Sequence, residues 1–120
     1  MIKIIKAPTR IMTPDGDNKI IEEFVGNVNT KSSDISIAKM KAIEGWSEPG
    51  QTPEFDEYTF VLYGIVKVET MSEKYDVKAG EIIISPKNEW IRYSTPFEGG
   101  AEYISICLPA FSPDSVKRDE

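Results

Sequence analysis

Apolar residues recur along this chain at every second position in short runs, and clusters of turn-forming residues separate the runs. YTFVLYG and IVKVET lie on either side of Gly64 and predict a hairpin. KYDVKAGEIIISP predicts two short strands around the turn VKAG, and WIRYS and AEYISICLP predict two more. In DISIAKMKAI the apolar positions fall at Ile35 and Ile37 and then at Met40 and Ala42, which predicts a strand with an irregularity near Lys39. DNKIIEEFVGN fits a helix carrying Ile20, Ile21, Phe24 and Val25 on one side, and fits a strand between turns equally well. Seven or more strands at this spacing predict an all-β sandwich or closed barrel.

Composition narrows the picture. A chain of 120 residues suits one domain, here expected over 1–120, and buries roughly two thirds of the surface of its unfolded form. With 40% hydrophobic and 28% charged residues it lies in the globular range. A net charge of −6 argues against a nucleic-acid partner, which needs a basic footprint. The start, MIKIIKAPTR, is too short an apolar run for a signal peptide or a membrane span, so a cytoplasmic protein is expected. The end, SPDSVKRDE, reads as part of a solvated polar tail over 110–120. The single cysteine, Cys107, cannot form an internal disulfide and reads as a reduced core residue; with no histidine in the chain, a thiol–imidazole nucleophile is excluded.

Two spacings carry a family resemblance. Gly45 is followed after five residues by Gln51, after one by Pro53, after three by Glu57 and after six by Gly64. Gly80 is followed after five residues by Pro86, then by Asn88, Ile91 and Thr95. In spacing this resembles the two motifs of the cupins, over about 45–109, with strands expected in 1–44 as well. PGQTPEFDEYTFVLYG and the absence of histidine are similar to the cupin domain of the ethanolamine-utilisation Q protein. The resemblance implies a double-stranded β-helix, or jelly-roll, barrel. In the family the positions of Gln51, Pro53 and Ile91 hold histidines that ligate a metal, and only the glutamate, Glu57, is retained. A carbonyl oxygen, a donorless ring and a hydrocarbon do not replace imidazoles, so no metal and no cofactor are expected. Glu54 and Asp56 could add oxygens, but strand alternation turns Asp56 away from Glu57. Independently of the family, Pro49 and Gly50 fit the centre of a type II turn, and Asn88 tolerates a left-handed backbone.

A carboxyl inside a barrel must be satisfied by something. If Glu57 points inward, parity places Thr59, Val61 and Tyr63 on its face, and places Tyr93 and Thr95 on that of Ile91. Arg92 then faces outward. Tyr103, Ser105 and Cys107 share one face, and Trp46 and Trp90 flank the motif turns. The expected ligand-binding set is Gln51, Glu57, Thr59, Tyr93, Tyr103, Trp46 and Trp90, around a small polar molecule. The expected function is a metal-independent, small-molecule-binding protein accessory to a catabolic pathway such as amine utilisation. Two alternatives stand beside it. One is an isomerase, epimerase or lyase with Glu57 as the catalytic acid or base and Tyr93 or Tyr103 as its partner. The other is a protein-interaction module, since Tyr58, Phe60 and Leu62 on the outward parity need a cover, most simply a homodimer partner.

Overall fold

The computed structural model describes Met1 to Asp119. It contains β1 (Thr9–Ile11), β2 (Lys19–Val25), β3 (Ser36–Ala42), β4 (Trp46–Ser47), β5 (Asp56–Glu69), β6 (Lys74–Lys78), β7 (Ile82–Ser85), β8 (Arg92–Thr95) and β9 (Ala101–Leu108), all paired antiparallel. One sheet runs β1-β2-β3-β9-β5-β7 and the other β4-β8-β5-β6, so β5 belongs to both. This is the antiparallel jelly-roll architecture, and its inner faces enclose the core.

The hairpin expected around Gly64 does not form. Residues 56–69 make one strand, whose first half pairs with β7 and β9 and whose second half pairs with β6 and β8. Gly64 marks the corner where the strand changes sheets: its φ is 75°, and a Cβ there would run into the carbonyl oxygen of Gly100. A glycine inside a strand pattern here signals close backbone approach rather than a turn. The irregularity expected near Lys39 is also absent. β3 pairs with β9 in unbroken register from Ser36 to Ala42, and the register shifts lie instead at Glu23/Val25 of β2 and Val61/Tyr63 of β5. Ile37 misled the pattern because it belongs to an outward apolar row that also contains Tyr58, Ile84 and Ile106.

DNKIIEEFVGN resolves into a 3-10 turn at Gly16–Asn18 followed by β2, whose alternation buries Lys19, Ile21 and Glu23. Gly50 has no positive φ, so the type II turn is not what fixes it; the Trp90 ring occupies the space a side chain would need. Asn88 does adopt a left-handed φ of 68°. The expected solvated tail is corrected between Ala110 and Asp119. Ala110 and Val116 are buried, the 52 and 54 amides bond to the carbonyls of Lys117 and Ser115, and the Trp90 indole donates to Asp119 Oδ2 at 2.8 Å. The buried side chains of Ala110 and Val116 and these backbone bonds hold the segment against residues 50–54. Glu120 lies outside the described residues.

One core cluster gathers Trp46, Val61, Val66, Val68, Ile91 and Tyr93 among others, and a second gathers Phe55, Cys107 and Val116 with Phe111 against it. Gly64→Ala should cost more than about 2 kcal/mol of unfolding free energy in urea, because backbone strain and a backbone clash add. Gly16→Ala, at a φ of 59° with open space around it, should cost only about 1 kcal/mol. Equal costs would show that the corner at Gly64 is not sterically closed.

Candidate functional site

Strand alternation turns one face of each strand of the first sheet inward. β2 contributes Lys19 and Glu23, β3 Ser36, Ala38 and Met40, β5 Glu57, and β9 Tyr103, Ser105 and Cys107. Together with Tyr93 of β8 and with Glu48 and Gln51 from the segment after β4, they surround a cavity of about 60 Å³. The tail closes one side with Phe111 and Arg118. The cavity draws its wall from both core clusters, so the site is continuous with the packing that folds the chain.

Glu57 is 8% exposed and fully engaged. Tyr93 donates its hydroxyl proton to Oε1 at 2.8 Å, and Ser105 donates to Oε2. Ser105 Oγ also lies 3.7 Å from Cys107 Sγ. Burial, reinforced by the neighbouring Glu57 carboxylate, holds Tyr93 well above the usual phenol range and does the same for the Cys107 thiol. Burial likewise pushes Tyr103 up to about 12, against the opposing pull of Lys19. These groups are therefore protonated donors at neutral pH, and Cys107 is a core thiol rather than a nucleophile.

A charged pair also lines the cavity. Lys19 Nζ is 3.3 Å from Glu48 Oε1 and 4.2 Å from the centroid of the Trp46 ring, a cation–π contact. Burial works against the Lys19 ammonium, but Tyr103, Glu48 and Glu57 outweigh it and hold its pKa above the usual lysine value. For Glu48 burial wins over the pull of Lys19, and its pKa is raised. Glu48 Oε2 and Gln51 Oε1 have no hydrogen-bond partner although both side chains are more than nine-tenths buried.

The expected ligand set divides. Gln51, Glu57, Tyr93 and Tyr103 line the cavity. Thr59 and Trp46 point inward but are packed into the core away from it, and Trp90 covers Gly50 on the outside of the turn. Parity gave Thr59 an inward face, and the motif turns gave the two tryptophans their neighbourhood, but neither signal gives depth in the barrel. Tyr63 is exposed, because the register shift at Val61/Tyr63 breaks the alternation that runs from Glu57. Thr95 is buried and bonds the Ile43 carbonyl, while Arg92 pairs with Glu69 at 2.8 Å as an outward charge. Lys19, Glu48, Glu23 and Arg118 escaped the sequence reading. The first and third of these share the even spacing of Lys19, Ile21 and Glu23, a signal available once KIIEEFV is read as a strand.

The residues present do not fit a transition metal. Gln51 and Ile91 pair through their backbones, Ile91 lies in the apolar cluster, and both oxygens of Glu57 already accept hydrogen bonds. Among the described residues no group of three or more His, Cys, Asp or Glu side chains could hold a metal ion.

The fold matches solved structures over most of the chain. Clostridium difficile EutQ superposes with a TM-score of 0.63 at 20% identity, over 79% of this chain and 66% of that one. The fold is that of the cupins. Bacillus subtilis oxalate decarboxylase matches this cupin barrel with a TM-score of 0.78 at 17% identity, over 95% of this chain and 31% of that one. KdgF from Halomonas gives 0.67 at 17% identity, over 78% and 82% of the two chains. No family model matches the sequence. A curated relative, the endoribonuclease YbeY of Myxococcus xanthus, is 40% identical over 103 residues, 86% of this chain. The chain spans about a third of that relative's length, 35%.

The raised Glu48 pKa has a defined consequence for stability. As pH rises from the usual carboxylate range, roughly 4, through the raised value, the folded state keeps a proton that the unfolded chain has lost. Stability therefore falls over that window. Glu48→Gln lacks the titration. Urea denaturation between about pH 4 and pH 8 should show the wild type losing stability relative to the variant, and a pH-independent difference would contradict the burial argument.

Proposed function

We propose that this cupin barrel binds a small polar molecule without a metal, as an accessory protein in a catabolic pathway such as amine utilisation. The observation that carries the reading is the pair of unpartnered oxygens, Glu48 Oε2 and Gln51 Oε1, on two buried residues that line the same cavity as Glu57. Buried polar atoms are nearly always paired, and an exception on a cavity wall calls for a partner that enters the cavity. The catabolic setting rests on analogy with EutQ, whose fold this chain shares.

The alternative, an isomerase, epimerase or lyase using Glu57 as acid or base, has Tyr93 in place as a hydrogen-bonded partner at 2.8 Å. Against it, both Glu57 oxygens are already occupied by donors, which favours holding over proton transfer. The ribonuclease activity in the relative's name gains no support from a chain of net charge −6 without histidine. A cytoplasmic setting agrees with the unpaired, buried Cys107. Among the described residues no helix is long and apolar enough to cross a membrane. The homodimer reading is supported by the outer face of the first sheet, where Phe60, Ile82, Ile84 and Leu108 are all exposed.

Isothermal titration against a panel of small amines, alcohols, sugars and carboxylates tests the binding reading. At least one class should bind, and Glu48→Gln should weaken it about tenfold or more, the cost of one charge-assisted contact. No heat from any class, or an affinity that ignores Glu48→Gln, would refute it.

A further inference from the structure

The binding reading leaves the ligand's chemistry open, and the wall of the cavity constrains it. Three carboxylates line the space, Glu23, Glu48 and Glu57, against two cations, Lys19 and Arg118. Glu23 is committed to the chain itself, accepting from the amides of Val28 at 3.0 Å and Asn29 at 2.7 Å. Glu57 is committed to Tyr93 and Ser105. Lys19 is committed to Glu48 Oε1 and to the Trp46 face. Among the described residues, the two buried side-chain atoms on this wall without partners are both oxygens, one of them on a carboxylate.

Resting on the binding reading, we propose that the ligand is a small primary ammonium ion, seated between Glu48 and Gln51 with its short carbon chain against Met40 and the tyrosines. An ammonium supplies three donors and no acceptor, which is what two unpartnered oxygens require. It also offsets the excess negative charge of the wall. A carboxylate or phosphate ligand would bring more acceptors to a wall whose unpartnered buried atoms are already acceptors, and would meet three acids at close range. A neutral alcohol supplies one donor and leaves the charge excess in place. The volume sets the scale: at roughly 10–15 Å³ per water-sized site, about 60 Å³ holds on the order of four non-hydrogen atoms. The raised pKa of Glu48 agrees with a carboxyl whose need for positive charge Lys19 does not meet in full.

Titrations followed by amide NMR, with n-propylammonium, propan-1-ol and propionate as probes, test the assignment. n-Propylammonium should shift resonances of the cavity strands and bind at least tenfold more tightly than either of the others. Glu48→Gln should weaken that binding tenfold or more. Gln51→Leu, which removes no charge and leaves the Lys19 pair intact, should weaken it severalfold if the first variant fails to fold. Equal or tighter binding of the alcohol or the carboxylate would overturn the ammonium assignment and leave the binding reading standing. Silence from these probes and from the wider panel of amines, sugars and acids would overturn both.

Discussion

The interior of this barrel depends on a buried ammonium. Lys19 enters on the first full-length strand, with 8% of its surface exposed, and meets Glu48, the Trp46 ring and Tyr103. Without that charge the barrel would enclose acids with no compensating cation except Arg118 at the tail. Desolvating an ion costs several kcal/mol, so each partner is tolerable only because the other is there. The pair also ties the first sheet to the segment that follows β4, which carries Gln51 and the turn packed under Trp90.

This gives a physical account of how the fold persists where imidazoles are absent. In place of a ring of neutral nitrogen donors the cavity carries a covalently attached cation, and Glu57 is satisfied by hydroxyl donors from Tyr93 and Ser105. Burial raises the pKa of Tyr93, so its hydroxyl keeps at neutral pH the proton it donates to Glu57. The remaining unpartnered oxygens are then a local property of two residues, Glu48 and Gln51, rather than of the whole interior.

The architecture was legible because its signals are local: short β-type runs such as KYDVK, IIIS, RYST and AEYISICL between turn residues, and glycines at fixed offsets. Glu57 came from the family spacing and Tyr93 from its parity with Ile91, while parity grouped Tyr103 with Ser105 and Cys107 and left open which way their face points. What failed did so for definable reasons. Gly64 has the same one-letter appearance in a turn and at a sheet corner, and only the neighbouring Gly100 carbonyl distinguishes them. Ile37 produced an apparent shift of phase because outward apolar rows look like inward ones to a period-two pattern. Lys19 was hidden by the helix-or-strand ambiguity of its segment, and a lysine is read as solvated by default. Glu48 lay inside a motif read for its turn residues. The tail was read by its charges, while its two buried positions, Ala110 and Val116, did the packing.

The dependence of the interior on the Lys19–Glu48 pair is open to a double-mutant cycle. Unfolding free energies are measured for Lys19→Met, Glu48→Leu and the two combined, a design that separates the pair from either side chain alone. If the pair organises the barrel, each single change leaves a buried charge uncompensated and costs about 3–5 kcal/mol, and the double variant recovers most of one of those losses. Costs that simply add would show that the two charges do not depend on each other, and the account would be wrong.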